Sequence, residues 1–216
     1  MNNNISARIL VLDDHSIVLN GIRLLLQLNL PYVIMEEATN ENELFSKLEL
    51  NVPNLLIMDL SMPNTDTQNL LQNILTKHPS LKVLIYSMNP EEIYAIRYLK
   101  AGATAYISKE APNEELLSAI FKLLNGELYY SSQTLKMLST EIRKTNSIEN
   151  PFDTLTSREF EIMIHFLNGK SIKEITQIVR LHSSTIGTYK ARIYEKLNVT
   201  NTIDLRKLAE LNRVVY

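Results

Sequence analysis

Five times in the first 125 residues a short apolar run gives way to a stretch with helical spacing. Strands that alternate with helices pair side by side in a parallel sheet, which its helices cover on both faces. The run Leu55-Leu-Ile-Met58 is the clearest of the five: Pro53-Asn54 punctuates its start, and it leads straight into Asp59 before Pro63 ends it. Continuous apolar runs bounded by turn formers mark strands buried on both faces. The other runs are residues 8–12, ending in Asp13-Asp14, then residues 32–36, 82–87 and 105–109. Helices are expected over residues 15–28, with Ile17, Val18, Gly21, Leu24, Leu25 and Leu28 as the apolar stripe, and over 41–50, 67–77, from Pro90 to about 101, and 114–124. The expected fold is therefore an α/β doubly wound five-stranded parallel sheet over residues 1–126.

In such sheets ligands bind outside the carboxyl ends of the strands. Those ends carry Asp13 and Asp14, Asp59, Ser87 and Lys109. Each has an ordinary use when taken alone: Asp13 as a helix cap, Lys109 as a solvated lysine. Together, three carboxylates in one pocket repel each other unless a cation joins them. Oxygen ligands of this kind suit Mg²⁺. His15 stands beside the acids, but a hard cation prefers oxygen, so it is left out of the metal set. A hydroxyl and an ammonium beside the cation suit phosphoryl transfer to a carboxylate.

These residues, with Met62-Pro63 after Asp59, resemble the receiver domain of bacterial two-component response regulators over about residues 7–125, a flavodoxin-like fold. The resemblance implies that Asp59 accepts a phosphoryl group from a sensor histidine kinase. It implies that Asp13, Asp14, Asp59 and the backbone carbonyl of Ser61 hold Mg²⁺, that Ser87 and Lys109 bind the phosphoryl oxygens, and that Tyr106 is the switch aromatic. The sequence departs from the family at Thr67, where glycine is usual, and at Glu110, which follows Lys109 in place of proline.

Charge separates the rest of the chain from this part. Residues 1–150 hold 12 Lys/Arg against 17 Asp/Glu, and residues 151–216 hold 10 against 7. A basic second domain suits a polyanion. The chain has no cysteine, so disulfides and Cys-ligated zinc are excluded. No apolar run reaches membrane-spanning length, and the first residues lack the basic start of a secretory signal. A soluble cytoplasmic protein with no membrane partner is expected.

Residues 127–150 are expected to form a helix from about Ser131 to Lys144, with Leu135, Leu138 and Ile142 on one side, and a polar linker. Residues 151–216 are expected to be an all-α four-helix domain with helices at 157–167, 171–179, 183–197 and 202–211. Thr156 and Glu159 have capping-box spacing. Ile172, Ile175, Ile178 and Val179 would face inward on the second helix, and Ile186, Tyr189, Ile193 and Leu197 on the third. From spacing alone, an ordinary helical hairpin and a helix-turn-helix fit equally. The runs Leu155-Thr-Ser-Arg-Glu, Lys173-Glu-Ile, Ser184-Thr-Ile-Gly-Thr-Tyr-Lys and Lys196-Leu-Asn resemble the LuxR-type DNA-binding domain. Receiver followed by LuxR-type domain is the order of the NarL/FixJ family. Expected DNA contacts are Ser183, Ser184, Thr185, Gly187, Thr188, Lys190, Ala191, Arg192 and Lys196, although Gly187 stands where lysine is frequent.

The sequence is thus expected to encode a regulator that binds double-stranded promoter DNA as a homodimer when Asp59 is phosphorylated, and that catalyses only its own Mg²⁺-dependent phosphorylation and dephosphorylation. A dehalogenase-type aspartyl-phosphate hydrolase is the competing reading, but such enzymes usually carry a second Asp where this chain has Ser61. A third reading is a regulator that binds DNA constitutively.

Overall fold

The structure, a computed structural model, describes residues 7–143 except Asn64, and residues 150–216 except Arg213 and Val215. Most of the expected linker lies outside the described residues, as does the side chain of Ile142. The chain divides into two compact units, Met1–Ile142 and Arg143–Tyr216.

The first unit runs β1 (Arg8–Leu12), α1 (Ser16–Asn29), β2 (Ile34–Ala38), α2 (Glu41–Leu50), β3 (Leu55–Met58), α3 (Thr67–Lys77), β4 (Lys82–Ser87), α4 (Glu91–Lys100), β5 (Ala105–Ser108), α5 (Asn113–Leu124) and α6 (Ser132–Arg143). The sheet order is β2-β1-β3-β4-β5, and every pairing is parallel. The order reverses between β1 and β3, which makes their carboxyl ends the place for a ligand. All four residues of β3 are buried, as their unbroken apolar run requires. One face of the core joins Ile9, Val11, Leu55 and Ile57 to Leu19, Ile22 and Leu26 of α1 and to Leu116, Ala119, Ile120 and Leu123 of α5.

Two local features differ from expectation. β2 begins at Ile34 because Tyr32 sits in a turn, and the Ile34 amide is the first to reach across, donating to the Ala7 carbonyl. This edge strand carries Glu36 and Glu37, which pair with Arg8 and Arg23. In α1 the buried residues are Leu19, Ile22 and Leu26; of the expected stripe Val18 and Leu25 pack partly buried against this core. Ile17, Leu24 and Leu28 are 77, 58 and 73 % exposed. The helix is apolar on two sides, and only one of them meets the sheet.

The second unit begins with a 3₁₀ turn (Pro151–Thr154) and continues with α7 (Ser157–Leu167), α8 (Ile172–Val179), α9 (Ser183–Leu197) and α10 (Thr202–Leu211). Capping boxes, Thr156 with Glu159 and Ser171 with Glu174, start α7 and α8. Gly169 follows α7 at φ +75°, a conformation that disfavours other residues. Phe152, Phe160, Met163, Phe166, Ile175, Ile186, Ile193, Leu197 and Leu205 fill the core. On α8 only Ile175 and Val179 are buried; Ile172 and Ile178 face outward. Tyr189 of α9 is half-buried.

Candidate functional site

The ladder brings the acids together. Leu12 pairs with Met58, so Asp13 and Asp59 leave adjacent strands side by side. The Asp59 amide donates to the Leu12 carbonyl at 2.9 Å, and the Asp13 amide to the Ala38 carbonyl at 3.1 Å. On the other side of β3, Ser87 pairs with Ser108, and the Lys109 amide donates to the Ser87 carbonyl at 2.8 Å. Register alone therefore places Asp13, Asp59, Ser87 and Lys109 along one edge.

The side chains of Asp13, Asp59 and Lys109 meet there. Lys109 Nζ lies 2.6 Å from Asp13 Oδ2 and 3.2 Å from Asp59 Oδ2. Asp59 is 2 % exposed, and its Oδ1 accepts the Leu60 amide at 2.8 Å. Burial pushes the Asp59 carboxyl up from its ordinary range; Lys109 opposes this and Asp13 adds to it. Asp14 is half-buried beside the pair. Ligand atoms of Asp13, Asp14, His15 and Asp59 lie within 4.8 Å of one another. Asp14 Oδ1 and Asp59 Oδ2 are buried, with His15 Nδ1 2.9 Å from the first and Lys109 Nζ 3.2 Å from the second. Buried carboxylate oxygens crowded together with few hydrogen bonds fit a divalent cation, and the all-oxygen acid set suits Mg²⁺. Ser61 lies exposed on the loop two residues beyond Asp59.

Ser87 is fully buried, and its Oγ accepts the Asn89 amide at 3.3 Å. Tyr106 is also buried and donates to the Asn89 carbonyl at 2.9 Å. Burial first, then the neighbouring Tyr98 and Tyr94, hold its phenol well above the ordinary range, so it stays a donor. Thr67, the departure from the family pattern, is buried with its hydroxyl 2.8 Å from that of Tyr98. A glycine could not make that bond. Sequence reasoning missed this pair because the two residues are 31 apart.

In the second unit, Ser183, Ser184, Thr188, Ala191 and Arg192 are exposed on α9, and Thr185 and Gly187 are partly so. Ser184, Thr185, Thr188, Tyr189 and Arg192 line one shallow hollow. A Cβ on Gly187 would meet nothing within 4 Å, so that face is open. The two lysines are engaged elsewhere. Lys196 Nζ is 2.6 Å from Glu159 Oε2 and 3.3 Å from the Thr154 carbonyl. Lys190 Nζ rests 5.2 Å from the Phe166 ring centre and 5.4 Å from that of Tyr194. Arg158 donates to Glu161 and to the Val179 carbonyl, each at 2.6 Å, closing the end of α8 where Arg180 turns left-handed at φ 54°. No motif in the sequence marked these three as lacing.

Residues 9–121, just over half of the chain, match the response regulator receiver domain. Residues 153–209 match the bacterial regulatory proteins of the luxR family. The chain is a two-component response regulator of the NarL/FixJ type. Over 203 residues this regulator is 31% identical to the response regulator GacA of Pseudomonas aeruginosa, covering 94% of each chain. It is 27% identical over 201 residues to the response regulator UvrY of Escherichia coli, covering 93% of this chain and 92% of that one. Among solved structures, RcsB of Salmonella typhimurium aligns over 100% of both chains with a TM-score of 0.61 and 26% identity. An RcsB structure bound to promoter DNA in the presence of a beryllofluoride phosphomimetic aligns over 97% of this chain and 100% of that one, with a TM-score of 0.58 and 25% identity. Among the described residues, no helix is long and apolar enough to cross a membrane.

Proposed function

We propose that Asp59 takes a phosphoryl group from the phosphohistidine of a sensor kinase, and that this controls binding of promoter DNA by the second unit. The observation that carries the reading is the buried Asp59 carboxylate, flanked by Asp13 and by the Lys109 ammonium, 3.2 Å from its Oδ2. Asp13, Asp14, Asp59 and the Ser61 carbonyl would hold Mg²⁺, which when bound neutralises charge on the transferring group. An Asp59 oxygen forms the new P–O bond as the P–N bond to the kinase imidazole breaks, its electron pair returning to the ring nitrogen. Lys109 holds the carboxylate in place and then pairs with the phosphoryl oxygens. Ser87 donates its hydroxyl to one of them, which draws on its present bond to Asn89, and Asn89 is also where Tyr106 is held. Incubation with Mg²⁺ and acetyl phosphate tests this by intact mass. One phosphoryl adduct is expected on the wild type and none on Asp59→Asn; an adduct on both places the acceptor elsewhere.

The DNA-facing surface we assign to Ser183, Ser184, Thr185, Gly187, Thr188, Ala191 and Arg192. Small and polar groups admit a major groove, and Arg192 reaches a base edge or phosphate. Lys190 and Lys196 act there chiefly by holding α9 and by charge. RcsB, to which the chain is similar, is bound to promoter DNA in one structure, which supports this reading. For the homodimer we assign the seam of Ile17, Leu24 and Leu28 on α1, beside α5 with its half-exposed Phe121. Apolar residues so spaced along one helix face suit a second copy of the same helix. The regulator acts in the cytoplasm and turns over no substrate beyond its own phosphoryl group.

A further inference from the structure

The acidic pocket contains a fourth donor that phosphoryl transfer does not use. His15 Nδ1 lies 2.9 Å from Asp14 Oδ1 and 3.2 Å from Asp13 Oδ1. Its backbone is fixed, because the His15 amide donates to Asp13 Oδ1 at 2.8 Å. It precedes α1, but its side chain caps nothing. The imidazole is thus aimed at the pocket while half of it remains open to solvent. Two donors bound at right angles to one cation, each about 2.1 Å from it, stand roughly 3 Å apart. The His15 separations from both aspartates have that spacing. Asp14 Oδ1 and Asp59 Oδ2 are buried beside His15 and Lys109, and ligand atoms of Asp13, Asp14, His15 and Asp59 lie within 4.8 Å of one another. Carboxylates favour Mg²⁺ and Mn²⁺, whereas imidazole favours Ni²⁺ and Zn²⁺.

We propose that His15 makes this a mixed nitrogen–oxygen site, which takes Ni²⁺ or Zn²⁺ with His15 Nδ1 as a ligand alongside the aspartates. The inference rests on the reading of the pocket as a divalent-cation site. It gives the regulator a stronger response to these cations than a pocket of carboxylates alone would give: they compete with Mg²⁺ where Asp59 is phosphorylated.

Displacement of Mn²⁺ tests it on the full-length protein. Bound Mn²⁺ loses the sharp electron paramagnetic resonance signal of the free ion, so release by Mg²⁺ or by Ni²⁺ is read directly at this site. Asp14→Ala shows that the Mn²⁺ being read sits in the pocket. In wild type Ni²⁺ is expected to release Mn²⁺ at far lower concentration than Mg²⁺. His15→Ala should narrow that preference at least about tenfold, and His15→Asn likewise. A preference unchanged within about twofold overturns nitrogen ligation and leaves His15 an ion-pair partner of the aspartates. A packing role alone shifts both ions equally and overturns it as well. Wild type that binds no Mn²⁺ sinks the cation reading of the pocket, and this proposal with it.

Discussion

Asp59 is a carboxylate that the fold disfavours in its charged form. With its pKa raised, the folded state prefers the neutral acid, so the ionised group costs stability above the shifted pKa, and the cost fades as pH falls towards the ordinary value. Asp59→Asn keeps the shape and removes the charge. At pH 7 in EDTA it should raise stability by about 1–2 kcal/mol, read as a higher Tm, and added Mg²⁺ should close the gap. An unchanged Tm in EDTA would mean that Lys109 already neutralises the site. The strand-end residues were legible from sequence because register follows from backbone pairing, which apolar runs and turn residues announce. Other roles were not. Glu159 and Lys196 belong to motifs that signal DNA binding, yet they bond to each other across 37 residues. Only the packing of α9 against α7 brings them together.

That bond decides how two elements respond to acid. Burial raises the Glu159 pKa, but the Lys196 hydrogen bond, the Thr156 amide and the lysine charge outweigh it, and the net direction is down. A depressed carboxyl stabilises fully above its ordinary pKa, and the contribution is lost as pH falls through the folded value. Lys196→Met should therefore cost about 1 kcal/mol near neutrality, since the lysine is partly exposed, and less as pH drops below about 4.5. Denaturant melts at several pH values measure this; a constant difference down to pH 3 would count against it. α6 differs from the expected stripe for a similar reason. Leu135 is exposed, whereas Ser131 and Thr134 are buried and both donate to Glu91 at the start of α4. A hydrophobic pattern cannot reveal a helix held by hydroxyls. Glu91→Ala leaves these donors unmatched at a local cost of about 1.5 kcal/mol, so amide exchange in α6 should quicken roughly tenfold while β1 and β3 stay protected. Equal acceleration in the sheet would show that α6 opens only with the whole unit.

At the scale of the molecule, a receiver can influence promoter affinity through the association of two chains. In the proposed assembly one α9 would cover one half-site, and a two-fold dimer would present two, about one helical turn of DNA apart. If phosphorylation favours the dimer, DNA and the phosphoryl group strengthen each other by the same factor. The α1 seam supplies a way to separate chemistry from assembly. Leu24 is more than half exposed and lies outside the buried core. Leu24→Glu would bury a charge in any contact made through this face, at several kcal/mol for the pair. It should accept the phosphoryl group as wild type does by intact mass, remain a monomer in sedimentation when wild type dimerises, and lose the gain in promoter affinity. Normal dimerisation of Leu24→Glu would reject the seam. The next candidate is then α10, where Ile203 and Leu211 are also exposed, and Ile203→Glu separates the two because it changes the DNA-binding unit and leaves the receiver face intact. If neither charge prevents association while phosphorylation still raises affinity, the dimer forms through another face; only a gain that persists in a variant held as a monomer would place the coupling within a single chain.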